Sequence, residues 1–284
     1  MRWRGRERST NVEDRRRVGG KKIALGGGFG TIIIAVIFIL LGGNPKQILK
    51  FLDPGQTATT TGTTQSSPLP DDELANFISV VLADTEDVWK KIFRESGRVY
   101  REPKLVLFRG HVRSACGFAG AATGPFYCPG DEKVYIDLEF LEEMLRRFKS
   151  SGDFAMAYIL AHEVGHHVQK QLGIMNKVDS KRGLVSQKKL NELTVRLELQ
   201  ADFLAGIWVH HAQKMKNILE EGDVEEALRA VAAVGDDRIQ MKQRGYVVPD
   251  SFTHGTSEQR LRWFRKGMKT GDPNQGDTFS TRNL

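Results

Sequence analysis

The chain has 284 residues, with hydrophobic residues at 40% and charged residues at 27%, so one or two ordinary globular domains are expected. The net charge of +7 is gathered at the front: residues 1–22 hold nine Arg or Lys against three acids. The remainder is almost neutral, which argues against a nucleic-acid-binding domain despite the high pI.

Residues 23–41 carry no charge. As a helix they would span about 28 Å, enough for a bilayer core. The basic cluster just before them predicts that residues 1–22 stay in the cytoplasm and that everything after the span faces outward. A cleaved signal peptide is the competing reading, but no Ala-x-Ala site closes the apolar run. The basic residues then meet anionic lipid headgroups rather than nucleic acid. Residues 42–70 are rich in Thr, Ser, Pro and Gly and are expected to be a tether. A domain over 71–270 and a frayed tail over 271–284 complete the expected organisation.

Within the domain, Asp71 or Asp72 can cap a helix running to about Glu95, with Phe77, Ile78, Val81, Trp89 and Ile92 inward. Leu105 to Phe108 reads as a strand, Gly110 to Gly130 as a Gly/Ala/Pro-rich loop, and Val134 to Ile136 as a second short strand. Leu138 to Phe148 reads as a helix. The only two cysteines, Cys116 and Cys128, bracket the loop. In an outward-facing domain they can form a disulfide that closes it, two reduced thiols being the alternative. His111 nearby reads as a surface residue.

Next comes a helical segment containing Ala161-His162-Glu163-Val164-Gly165-His166-His167. Positions four apart on a helix lie about 40° apart around the axis, so His162 and His166 can close two corners of a tetrahedral zinc site. Glu163, offset by about 100°, falls beside the open corner. There it can act as base toward an activated water. The bland alternative is a pair of satisfied core histidines.

A long helical pattern from Gln187 to Met215 carries Glu198-Leu199-Gln200-Ala201-Asp202 among apolar neighbours. Two buried carboxylates one turn apart are costly unless a cation or metal answers them. The metal reading makes Glu198 the third ligand and lets Asp202 orient a ligand histidine. The alternative sets both on an exposed strip with Lys189 and Arg196.

His-Glu-x-x-His followed some thirty residues on by Glu-x-x-Ala-Asp resembles the gluzincin metallopeptidases. The chain is closer still to the bacterial neutral zinc metallopeptidase family. The residues carrying this are Met1-Arg2-Trp3-Arg4-Gly5-Arg6, Asn11-Val12-Glu13-Asp14-Arg15-Arg16, His162 through Gln169, and a late His254-Gly255 followed by Arg260. The metzincin pattern fails, because Gln169 and Leu172 stand where Gly and His are required. The resemblance implies that His254 donates to the oxyanion of a tetrahedral intermediate and that Arg260 pairs with a carboxylate near the site, Asp202 being the candidate. It also implies that substrate adds as a strand along a sheet edge before the zinc helix, and Val134 to Ile136 stands in that order.

The expectation is thus a mainly helical α+β, zincin-like domain behind one transmembrane helix. It hydrolyses peptide bonds with one Zn2+ on His162, His166 and Glu198. Two rivals stand beside it: an inactive zinc-stabilised surface binding module, and a zinc amidase acting on cell-wall peptides.

Overall fold

The computed structural model describes residues 1–16, 73–120, 124–148 and 152–284. The expected transmembrane helix over 23–41 and the tether over 42–70 lie outside the described residues. Among the described residues, no helix is long and apolar enough to cross a membrane.

The architecture is mainly helical α+β. Strand β1 (Val12–Asp14) precedes helix α1 (Glu73–Glu95). Strands β2 (Lys104–Phe108), β3 (His111–Ser114), β4 (Gly117–Gly120), β5 (Phe126–Cys128) and β6 (Lys133–Asp137) follow. Helices α2 (Leu138–Phe148), α3 (Asp153–Gln171), α4 (Ile174–Asp179), α5 (Gln187–Lys216), α6 (Asp223–Ala233), α7 (Asp236–Arg244) and α8 (Ser257–Thr270) complete it. One sheet has the order β1-β2-β6-β5, and β3 and β4 form a separate hairpin. Strands β1, β2 and β6 run parallel, while β5 runs antiparallel to β6 and forms an edge. Val134 and Ile136 are fully buried because β6 lies between β2 and β5. The strand expected to receive a substrate is therefore internal, and the edge facing the histidine helix is β5. Gly110 to Gly130, expected as loop, holds β3, β4 and β5.

The amino-terminal residues belong to this body. Val12 pairs with Leu105 and Asp14 with Leu107, so β1 extends the sheet. Trp3 packs edge-on against Phe77 with ring centroids 5.5 Å apart. Arg6 pairs with buried Asp84 and Arg4 with Glu73. Ser9 Oγ and Asn11 Nδ2 donate to Glu86 at 2.7 and 3.0 Å. The arginines that suggested a cytoplasmic lipid-facing segment are thus, in part, counter-ions to acids on α1. This corrects the expected boundary at residue 71.

The expected frayed tail is corrected too. Thr278 is fully buried, and Arg196 Nη1 donates to the carbonyls of Phe279 and Thr281 at 3.3 and 3.0 Å. Gln200 Nε2 donates to the Gly276 carbonyl at 2.9 Å. A buried backbone needs its polar groups answered, and two side chains from α5 answer these.

Candidate metal centre

Helices α3 and α5 meet at Gly165. A Cβ there would lie 3.1 Å from the Ala201 carbonyl oxygen and 3.3 Å from its Cα, tighter than an ordinary contact, so glycine eases the close approach of the helices. That contact sets His162 and His166 on one side against Glu198 and Asp202 on the other. His162 Nε2 lies 3.2 Å from Glu198 Oε2, and His166 Nε2 lies 3.4 Å from Glu198 Oε1. All three donor atoms fall within 4.8 Å of one another. Tetrahedral zinc at about 2.0–2.2 Å from its ligands would place neighbouring donors roughly 3.3–3.6 Å apart. The nitrogen and carboxylate donor set and its spacing therefore fit zinc.

Each histidine is turned by a partner behind it. His162 Nδ1 donates to Asp202 Oδ1 at 2.9 Å, leaving Nε2 toward the centre. Asp202 is fully buried and also accepts from Tyr158 O–H at 2.6 Å and from Arg260 Nε at 2.7 Å and Nη2 at 2.9 Å. The expected Asp202–Arg260 pair is present. Arg260 reaches it because α5 and α8 cross closely: a Cβ on Gly206 or Gly267 would strike the backbone of the other helix at 2.2 or 2.0 Å. His166 Nδ1 donates to Gln169 Oε1 at 2.9 Å. Gln169 Nε2 in turn donates to the Leu197 carbonyl at 2.7 Å and to Gln200 Oε1 at 3.1 Å, fixing which way its amide points. Gln169, one of the two residues that depart from the metzincin pattern, is thus the one that orients the second histidine.

Burial by itself would drive protons off His162, yet Asp202 and Glu198 hold its pKa up at about 10. Burial also works against the Asp202 charge, but Arg260 and then His162 hold that carboxyl at about 2. Glu198 is likewise held well below the carboxylate range, against its burial, by His166 and His162. The carboxylates and the imidazoles thus favour one another's charged forms, and a bound cation would compete with protons for the same donor atoms. Glu163 lies beside it. Burial raises its carboxyl, and the two histidines and a backbone N–H from Tyr127 on β5 work in the other direction.

His254 comes to the same neighbourhood, close enough to act electrostatically on Glu198. Its Nδ1 donates to Asp236 Oδ1 at 3.2 Å, and the backbone N–H groups of Thr253, His254 and Gly255 donate to Asp236 Oδ2 at 2.7, 2.6 and 3.1 Å. Gly255 has φ +89°, a left-handed turn that lets three successive N–H groups point at one oxygen. Thr256 then caps α8.

Sequence reasoning missed Tyr158, Gln169 and Asp236. Tyr158 and Gln169 share a helix face with the ligands, at i−4 from His162 and i+3 from His166, and that spacing was the available signal. His111 is exposed, as expected, and tilts over Phe118 with centroids 5.8 Å apart. His210 and His211 donate to backbone carbonyls of Met268 and Gly271, which makes them structural. Cys116 and Cys128 form a disulfide with Cα atoms 5.7 Å apart, tying the β3–β4 hairpin to the end of β5. A second carboxylate cluster, Asp153, Asp223 and Glu226, gathers around the Met1 amino group, which lies 3.0 Å from Asp153 and 3.2 Å from Asp223.

"Uncharacterized protein YpfJ" of Escherichia coli K12 is 48% identical over 285 residues, covering 98% of this chain and 99% of its own length. "Uncharacterized protein Rv2575" of Mycobacterium tuberculosis H37Rv is 41% identical over 208 residues, covering 69% of this chain and 68% of its own. No solved structure matches the chain. A family profile described as "Putative neutral zinc metallopeptidase" matches residues 1–279, its span including the amino-terminal strand and both ligand helices, and the chain belongs to that family.

Proposed function

We propose that this protein is a zinc-dependent peptidase that binds one Zn2+ through His162, His166 and Glu198. The observation that carries the reading is the convergence of two Nε2 atoms and one carboxylate within 4.8 Å, with a second carboxylate, Glu163, beside them. A purely structural zinc site closes all four corners with protein ligands and has no use for that base. The order of sheet, His-Glu-x-x-His helix and Glu-bearing helix supports a zincin-like domain of the gluzincin kind.

Bound there, zinc would bring the pKa of a water to about 7 and polarise a carbonyl. The chain's own residues do the rest. Glu163 takes a proton from the attacking water and returns it to the departing amine. His254, turned by Asp236, donates to the developing oxyanion. Asp202, Arg260 and Tyr158 keep His162 in the tautomer that presents Nε2, and Gln169 does the same for His166. The position of β5 at the sheet edge supports a peptide substrate laid alongside as an added strand.

The apolar composition of residues 23–41 supports attachment to a membrane, and the Cys116–Cys128 pair supports an oxidising compartment for the folded body. Packing of residues 1–16 into that body supports keeping both flanks of the apolar run on one membrane face.

Metal analysis together with cleavage of a broad peptide library by wild type and Glu163→Gln tests the reading. One zinc per chain in both, with cleavage by the wild type alone, is expected. Zinc in both with cleavage by neither would favour a binding module. Release of peptides from purified peptidoglycan, with unfolded proteins left intact, would favour a cell-wall amidase.

A further inference from the structure

Helix α5 brings Glu198 and Asp202 to the metal centre, and interleaved with them it carries two side chains that reach the carboxy-terminal segment. Arg196 and Gln200 are i and i+4 on that helix, hence neighbours on one face. Arg196 Nη1 donates to the Thr278 carbonyl, and Thr278 Oγ1 donates back to the Arg196 carbonyl at 2.6 Å. Gly276 and Thr278 are both buried, and a short 3-10 turn, Pro273–Gln275, leads the chain into them. The segment is thus seated on α5 at a fixed place rather than laid loosely over it.

Gln200 links that segment to the ligand set. Its Nε2 is spent on the Gly276 carbonyl at 2.9 Å, so its Oε1 is the atom left to accept from Gln169 Nε2 at 3.1 Å. Gln169 Oε1 in turn accepts from His166 Nδ1 at 2.9 Å, which leaves the Nε2 of that ring for the centre. A side-chain amide can present either end, whereas a backbone carbonyl only accepts. The sense of the relay is therefore set where it meets backbone, at the Leu197 carbonyl on α5, 2.7 Å from Gln169 Nε2, and at Gly276 in the tail. His166, Gln169 and Gln200 are all buried, so a partner lost from the relay leaves a polar group unanswered in the interior.

We infer that Gln200 and the backbone of Gly276 are positioning elements of the metal centre: the carboxy-terminal segment, seated on α5 by Arg196, holds the His166 ring through the amides of Gln200 and Gln169. This rests on the zinc reading for its effect on affinity, but the relay itself needs neither metal nor substrate.

The test uses the full chain. A Cβ on Gly276 would lie 2.5 Å from the Phe203 ring, so Gly276→Ala shifts the tail carbonyl and leaves both glutamines and every ligand in the sequence. Gln200→Met removes the middle amide at similar length. In the metal-free protein, exchange of the Gln169 side-chain amide protons, followed by NMR, is expected to be slow in the wild type and faster in Gly276→Ala and Gln200→Met. In competition with a chelator, zinc affinity is expected to fall roughly 10-fold in each, the low end of what an outer partner of a ligand histidine is worth. The double variant should lose no more than Gln200→Met alone, because both act through one path. Thr278→Val, which loosens the same segment from a second point, should act in the same direction. Arg262→Ala, which releases Asn283 and Leu284 at the exposed end of the tail, should match the wild type in both measurements. Unchanged Gln169 exchange in Gly276→Ala and Gln200→Met would overturn the inference, as would affinity losses that add in the double variant. A wild type that binds no zinc would sink the metal reading alone, leaving amide exchange to decide the relay.

Discussion

Replacing Arg260 with Met probes the electrostatic support of the centre. Arg260 is 3% exposed and Asp202 fully buried, and two charge-assisted bonds of 2.7 and 2.9 Å join them. Met fills most of the guanidinium's volume, so the loss is mainly one of charge. It strands the Asp202 carboxylate in the interior with only Tyr158 and His162, and breaking such a pair costs about 3–5 kcal/mol. A second route gives the same scale. Arg260 is the chief influence holding the Asp202 carboxyl at about 2, below its ordinary 3.8. At about 1.4 kcal/mol per pKa unit that shift corresponds to roughly 2–3 kcal/mol. Because the folded pKa is depressed, this stability is present above about pH 4 and is lost as pH falls toward 2. The assay is urea unfolding of the metal-free protein near pH 7, where metal linkage does not contribute. Arg260→Met is expected to lose about 3–5 kcal/mol, and Arg260→Met with Asp202→Leu much less than the sum of the single losses, since a buried pair replaced by apolar groups is often near neutral. A single-variant loss under about 1 kcal/mol, or simple additivity, would refute the reasoning.

Other outcomes follow from particular contacts. Gln169→Leu is expected to weaken zinc affinity roughly 10- to 100-fold with little loss of fold, because it frees the His166 ring; equilibrium competition with a chelator measures this. Burial pushes the Asp137 carboxyl up to about 6 from 3.8, although the N–H groups of Glu139 and Gly110 donate to it. The folded state then holds a proton the unfolded state has given up, so stability falls as pH rises across that window. Asp137→Asn keeps an acceptor for both N–H groups and should match the wild type near pH 4 while exceeding it near pH 7; equal stability at both would contradict this. Tags at the two ends of the full chain should show the same protease accessibility in intact spheroplasts and in inverted vesicles. Opposite accessibility would contradict the packing of β1 on β2.

The centre was legible because its parts are local. His162 and His166, and likewise Glu198 and Asp202, sit at spacings where helical geometry alone decides which side chains share a face. Helix α2 runs from Leu138 to Phe148, the bounds its apolar spacing suggested. What could not be read depends on partners distant in sequence. Arg4 and Arg6 look like lipid- or solvent-facing charges until Glu73 and Asp84 are folded against them. Strands β3, β4 and β5 are three or four residues long, too short for alternation to show. The tail from Gly271 onward is polar and turn-rich, and its burial rests on Arg196 and Gln200 meeting its carbonyls. The substrate strand was assigned to β6 by order alone, and only the pairing of β5 outside it shows which strand is the edge.

Anomalous X-ray scattering at the zinc absorption edge, from crystals of the zinc-loaded full chain, tests the central claim most directly. The account predicts one strong peak about 2.0–2.2 Å from His162 Nε2, His166 Nε2 and a Glu198 carboxylate oxygen. A peak at Asp153, Asp223 and Glu226 instead, or none at the two histidines, would contradict it.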